Sequence, residues 1–206
     1  MAAARVGHAP VGVDIGLRWL VLARKRLQEA GLNGQLVCAC AEALPFPAHR
    51  FDVVAGESVL ENTRRPEAAL REAGRVLKRG GCLHLSVPNR FSFGPDPQTG
   101  IWLGGWLPQR WVAAWIRRKG GVAPRRHLFS ARTLTSLLER AGFANLGMGL
   151  PSVPDAVRAS ASAPVRLAVD LYRLVSTVPV LRRALFLVGP TLLTTAATEP
   201  AAPPGD

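Results

Sequence analysis

The chain has 206 residues, 48% of them hydrophobic, which fits one domain with an appendage better than two full domains and gives enough material for a core. Its formal net charge is +12, from 26 Lys and Arg against 14 Asp and Glu. A balance this basic favours an anionic contact, whether a phosphate-bearing substrate, nucleic acid or an anionic membrane surface, with a coding bias toward Ala, Arg, Gly and Pro as the bland alternative.

Val11–Ile15 is a short apolar run ending beside an acid and reads as a buried strand. From Leu17 to Ala30, Leu20, Ala23, Leu27 and Ala30 recur at the helical period, and Gly31 closes the helix. Gln35–Cys40 and Phe51–Ala55 read as a second and a third strand. Pro66 opens a helix at a position that tolerates proline. Ala69, Leu70, Ala73, Val76 and Leu77 face inward on it, and Gly80-Gly81 stops it. Cys82–Val87 reads as a fourth strand. Nearly all-apolar strands alternating with helices indicate a parallel sheet covered on both faces. After Asn89 the alternation stops, and residues 90–128 are rich in Gly, Pro, Trp and Arg. Ser130 caps a helix over Ala131 to Ala141, and Phe143–Leu150 reads as another strand. Residues 155–190 look helical, broken at Pro179 and Pro190, and the tail is expected to be disordered.

The cysteines are Cys38, Cys40 and Cys82. Their odd number and the C-x-C spacing fit neither a zinc site nor a redox pair, so no metal is expected, and a reducing cytoplasm is the natural compartment. The first residues lack the apolar core of a signal peptide, and no stretch reaches the length of a membrane span; Ala184–Thr198 comes nearest.

Several segments together resemble the class I S-adenosylmethionine-dependent methyltransferases, in the right order over roughly residues 11–150. VGVDIG with LARKRL is similar to that family's second strand and helix. CAEALPFPAHRFDVV resembles its signature between the third and fourth strands, and ESVLEN the segment that follows. REAGRVLKRGGCLHLSVPN and HLFSARTLTSLLERAGF resemble the later helices and strands. The resemblance implies an α/β, Rossmann-like sheet with helices on both faces. It also implies a domain over 1–150, a helical appendage over 151–195 and a disordered tail over 196–206.

The resemblance further implies S-adenosyl-L-methionine as cofactor, bound beyond the carboxyl ends of the strands. Asp14, with Ile15 beside it, would hold the ribose hydroxyls; a helix cap is the other reading of Asp14. Cys40, Ala41 and Glu42 would lie along the adenine, with Cys40 where the family usually carries aspartate. Glu57 and Ser58 would line the methionine end. Asn62 and His127 are the candidates for orienting or deprotonating an acceptor, although an amide cannot serve as a base.

Measured against that family, the first strand and its glycine-rich loop are missing, and an N-terminal truncation is the expectation. Val11–Ile15 could pair directly with Phe51–Ala55 to close the gap. Trp102, Trp106, Trp111 and Trp115 lie in a stretch with no acid between Asp96 and Glu139. Either Trp111 and Trp115 pack onto the sheet, or the segment meets a lipid-like acceptor or a membrane surface. Nucleic acid is the weakest choice, since no RNA-binding motif accompanies it. The leading expectation is methyl transfer to a small or lipid-like acceptor in the cytoplasm, peripheral to a membrane. The rivals are a catalytically impaired relative acting as an interaction or membrane-peripheral module, and a nicotinamide-dependent oxidoreductase lacking its glycine-rich turn.

Overall fold

The structure, a computed structural model, describes residues 2–96, 98–189 and 191–198. A short helix α1 (Ala2–Arg5) leads into β1 (Val11–Asp14), α2 (Leu17–Glu29) and β2 (Gln35–Cys38). The β1 and β2 strands pair in parallel as a sheet of two, Val13 opposite Val37. The right-handed connection between parallel neighbours needs a helix, and α2 supplies it. Asp14 Oδ1 accepts the Gly16 N–H at 2.7 Å where α2 begins. Gly31, at φ +64°, ends α2 while Leu32 N–H returns to Leu27 O. That left-handed turn is the glycine stop expected from the sequence.

The second sheet runs β3 (Phe51–Glu57), β4 (Leu77–Pro88), β6 (Thr191–Ala197) and β5 (Ala144–Gly149), in that order. Strands β3 and β4 are parallel, and β6 is antiparallel to both of its neighbours. Helix α3 (Pro66–Val76) buries Ala69, Leu70, Ala73 and Val76 on this sheet, and α5 (Ala131–Arg140) buries Leu134, Leu137 and Leu138. Their spacing is the three-and-four repeat of an amphipathic helix. Ser130 and Thr133 cap α5 reciprocally: Ser130 N–H donates to Thr133 Oγ1 at 2.8 Å and Thr133 N–H to Ser130 Oγ at 3.3 Å. The core is one cluster formed by β3, β4, β6, α3 and α5, with Leu60, Phe129 and Phe143 closing its edges. A mixed α/β architecture with helices flanking the sheet is therefore the fold.

Four expectations are corrected. The helix opened by Pro66 ends at Val76, and Leu77 already belongs to β4, which passes Gly80 at φ +72° before continuing. The stretch expected to be helical to 195 is helical in α6 (Asp155–Ser160), α7 (Ala163–Thr177) and α8 (Pro179–Val188), but its end is strand β6. Leu192, Thr194 and Ala196 are buried there while their neighbours are not, the period-two pattern of a strand inserted between two others. Ala196 and Ala197, assigned to a disordered tail, lie in this strand; residues 199–206 fall outside the described ones. Third, β1 does not pair with β3: among the described residues β1 bonds β2 alone, and β3 bonds β4 alone. Fourth, helix α4 (Gln109–Arg118) buries Val112 but leaves Trp111 60% and Trp115 47% exposed, so this pair does not pack onto the sheet.

Candidate functional site

One cavity of about 770 Å³ runs along the facing sides of β1 and β3 and opens past the carboxyl ends of β1, β2 and β3, where Asp14, Cys40 and Ser58 line it. Its deep part lies between the facing edges of β1 and β3 and is apolar, with Val11, Val13, Val53 and Val54 on its walls. Its outer part is polar and collects Asp14, Cys40, Glu42, Ser58, Asn62 and Arg64. The indole of Trp19 forms one wall and comes close because residue 16 is glycine: a Cβ there would sit 2.9 Å from Trp19 Cδ1.

Each polar group has a defined local setting. Asp14 carries the strand-end carboxylate, and among the described residues its hydrogen-bond partner is Gly16 N–H; Gly16 itself is the N-cap of α2 and no side chain caps the helix, so Asp14 is not its cap, and its side chain lines the cavity. The Cys40 thiol donates to Glu42 Oε2 at 2.6 Å. Glu42 Oε1 accepts the backbone N–H of Arg64 at 2.7 Å and of Arg65 at 3.3 Å. The thiol and then these backbone donors hold the Glu42 carboxyl below the usual glutamate range, against its burial. Glu42 therefore ties the segment after β2 to the start of α3, and Ala41 beside it lines the cavity.

Ser58 follows β3 at φ +52°, a left-handed conformation unusual for a residue with a side chain. Its N–H donates to Ser86 O at 2.8 Å, which carries the β3–β4 ladder into the turn. Asn62, at the end of a 3-10 turn over Leu60–Asn62, donates from Nδ2 to Ser58 O at 2.9 Å and accepts from Gln98 Nε2 at 3.1 Å. Asn62 thus joins the cavity rim to the tryptophan-rich segment.

Of the residues singled out from sequence, Asp14, Ile15, Cys40, Ala41, Glu42, Ser58 and Asn62 meet at this cavity. Glu57 and His127 do not line it. His127 lines a separate cavity of about 430 Å³ beside Arg65, Glu67 and Arg71, and its ring stacks 6.1 Å from Phe129. No described residue of 90–128 lines the main cavity.

Two charged residues that line neither cavity have no role in the sequence analysis. Glu61 is 1% exposed, and neither carboxylate oxygen has a hydrogen-bond partner. Arg126 pairs with Asp96 through Nη2 while its buried Nη1 has none. Burial pushes the Glu61 carboxyl above the ordinary range, its own backbone N–H and the Arg126 charge only partly opposing it. In sequence Glu61 is one acid in a turn too short for any period to show which way it faces.

The comparisons with known proteins agree with this architecture. A family model described as a methyltransferase domain matches residues 1–85. The chain is 34% identical over 167 residues to a ubiquinone/menaquinone biosynthesis C-methyltransferase of Sinorhizobium fredii, covering 74% of this chain and 63% of that protein. It is 33% identical over 108 residues to a ubiquinone biosynthesis O-methyltransferase of Cereibacter sphaeroides, covering 52% and 44%. The chain thus spans under two thirds of the length of these curated relatives. Among solved structures it is similar to the [4+2]-cyclase SpnF, with TM-score 0.60 and 22% identity over 97% of this chain and 70% of that one. It is also similar to an S-adenosylmethionine-dependent methyltransferase, possibly a histamine N-methyltransferase, of Thermotoga maritima, with TM-score 0.57 and 19% identity over 96% and 76%. With the ordered motifs, the parallel β1–α2–β2 and β3–α3–β4 units and these relatives together, the chain belongs to the class I S-adenosylmethionine-dependent methyltransferases.

Proposed function

We propose that the chain binds S-adenosyl-L-methionine in the cavity at the carboxyl ends of β1, β2 and β3 and transfers its methyl group to a small, lipid-like acceptor of quinone type. The observation that carries this reading is the convergence of Asp14, Ala41 and Ser58, from three separate strand ends, on one cavity of about 770 Å³. The residues fit the group: a carboxylate for the ribose hydroxyls, a backbone edge for adenine, and polar Ser58 and Asn62 for the amino-acid end. When bound, the cofactor supplies a methyl group already activated on a sulfonium, so the protein's task is alignment and exclusion of water. Trp19 and the apolar walls exclude water, and Asn62 orients without moving a proton. The names of the relatives, in ubiquinone and menaquinone biosynthesis, support a quinone-type acceptor.

Calorimetric titration with S-adenosylhomocysteine tests the reading. Saturable binding is expected, weakened about 10- to 100-fold by Asp14→Ala, the loss of hydrogen bonds to a charged acceptor. No heat up to millimolar ligand would leave the rival, a catalytically impaired module.

The exposed face of α4 supports a peripheral place on an anionic membrane. Trp111 and Trp115 stand out beside Arg110, Arg117 and Arg118, and Lys119 Nζ lies 4.3 Å above the Trp115 ring. Tryptophan suits the interface, and the cations suit anionic headgroups. Among the described residues no helix is long and apolar enough to cross a membrane. Co-sedimentation with vesicles containing phosphatidylglycerol, reversed by salt and absent with phosphatidylcholine alone, is the expected result.

A further inference from the structure

The helical pair α7–α8 is built inside out. None of its described residues is buried, although leucine, valine and alanine make up most of both helices. The face of α7 that meets the rest of the protein is its polar one. There the Tyr172 hydroxyl donates to Pro151 O at 2.7 Å, and the Arg173 guanidinium to Val153 O at 2.6 Å. On the opposite side Leu167, Leu171, Leu174 and Val178 follow the three-and-four spacing of a single helical stripe. That stripe faces outward, with Leu167 71% and Leu174 65% exposed. Helix α8 continues the pattern with Val180 and Leu187, two turns apart on one face and both largely exposed.

The charges beside these stripes leave a surplus of one sign. Residues 155–188 hold five arginines and two aspartates. Both aspartates are paired, Asp170 with Arg158 at 2.6 Å and Asp155 with Arg173 at 2.8 Å. Arg166, Arg182 and Arg183 form no ion pair among the described residues. An occupant of this surface must therefore supply apolar cover and negative charge together. A second copy of the chain would set arginine against arginine, in a protein of net charge +12. An anionic bilayer offers hydrocarbon to the leucines and phosphate to the arginines. At 15 and 10 residues, the two helices are too short to cross it and suit its surface plane.

The pair is fastened to the sheet at its carboxyl end. Asn89 Nδ2 donates to Leu187 O at 3.0 Å and Phe93 N–H to Val188 O at 3.4 Å, so α8 finishes just past the end of β4. Strand β4 is parallel to β3, and the main cavity opens on that side of the sheet. We propose that α7–α8 is a membrane anchor: the α7 stripe enters the hydrocarbon edge of an anionic bilayer while Arg166, Arg182 and Arg183 meet headgroup phosphates. The inference rests on the peripheral placement drawn from α4 and deepens it. Helix α4 presents rings and cations to the interface, and α7 adds an aliphatic face. Attachment here keeps the cavity's side of the sheet at the bilayer, where a lipid-like acceptor is dissolved.

The experiment measures binding of the full chain to phosphatidylglycerol vesicles, and its mass by sedimentation without lipid. The parent chain should bind vesicles and sediment as a monomer. Leu171→Gln with Leu174→Gln should keep a cooperative melt and weaken vesicle binding by about tenfold or more, the loss of two leucines from hydrocarbon. Trp111→Ser with Trp115→Ser should weaken it separately, and the combined variant should show both losses. If the parent chain binds and the leucine pair changes nothing while the tryptophan pair still weakens binding, the proposal is overturned and the α4 reading stands. If the parent chain does not bind phosphatidylglycerol vesicles, both fall. A lipid-free dimer that the leucine substitutions dissociate, with vesicle binding unaltered, overturns the proposal in favour of a second copy. Should the leucine pair lose its cooperative melt, Leu167→Gln with Val178→Gln decides alone: weaker binding supports the anchor and unchanged binding overturns it.

Discussion

The two parallel units of this chain have the same local design and very different interiors. Both β1–α2–β2 and β3–α3–β4 are strand, helix, strand, with apolar strands and an amphipathic helix. In the second, Leu70, Val76, Leu77 and Leu83 are almost wholly buried. In the first, from α1 through β2, Leu20 alone of the described residues is buried, while Ile15 is 74% and Leu17 65% exposed. The difference lies in neighbours. The β3–β4 pair has β6, β5 and α5 packed around it, whereas β1 faces β3 across an apolar cavity. A strand's apolar pattern states what it can bury; only the strands beside it decide whether it does.

The contrast is broken most directly by comparing equal truncations. Leu138→Ala, in the core of α5, is expected to lower stability by about 2–5 kcal/mol, the cost of lost transfer energy plus a cavity that cannot collapse. Leu20→Ala, in a helix whose other apolar residues already meet solvent, should cost about 2 kcal/mol, the transfer term with little added for a cavity. Urea denaturation of both variants measures the pair. Equal losses would mean that the first unit is packed as tightly as the second.

What joins the two units is mostly polar. Glu72 on α3 accepts the Leu44 N–H at 2.8 Å and the Arg75 guanidinium at 2.7 Å and 2.8 Å. Arg75 donates onward to Phe46 O at 2.7 Å and Leu44 O at 2.9 Å. The Phe46 ring on this loop meets that of Phe51, at the start of β3, edge to face, 5.1 Å apart. Glu72→Ala should therefore cost about 1–2 kcal/mol by cutting the loop from α3. The Arg75 hydrogen bond first, and the Leu44 N–H with it, hold the Glu72 carboxyl below its ordinary value, against burial. Stability from a depressed carboxyl is present above the unfolded value near 4.5 and is lost as pH falls through the folded value. The acid limb of a pH–melting curve should accordingly flatten in Glu72→Ala, and a limb unchanged from the parent would break the assignment.

The sequence carried the second unit almost in full, because each signal there was local: Pro66 at a helix start, the buried stripe of α3, the Ser130 cap, the glycine stop after α5. It carried the cavity rim as well, since Asp14, Cys40 and Ser58 stand at strand ends, where ligands of α/β sheets gather. It missed β6, because a short Thr-rich alternation following three helices carries less weight than the helical run before it. It could not show that β1 and β3 leave a cleft between them, since pairing is a property of the sheet and not of either strand. Nor could it find Glu61 or Arg126, whose burial with unpartnered polar atoms is set by the packing around them and not by any local pattern.

The smallest expected effect has the opposite sign and sharpens the contrast from within the well-packed unit. Glu61 adjoins Leu60 in the main core, yet its carboxylate is buried with neither oxygen hydrogen-bonded. Burial raises its folded value above that of the unfolded chain, near 4.5, with its own backbone N–H and the Arg126 charge only partly offsetting it. A raised carboxyl imposes nothing below the unfolded value, where it is neutral in both states; the penalty grows as pH rises and is complete above the folded value. Glu61→Gln keeps the shape and removes the charge, so it should stabilise the chain by about 1 kcal/mol at pH 7 and by nothing measurable near pH 4. Melting curves at the two pH values read the difference. A gain confined to neutral pH would show that the tightly packed half holds a charge retained at the expense of stability. An equal gain at both would make Glu61 an ordinary packing defect.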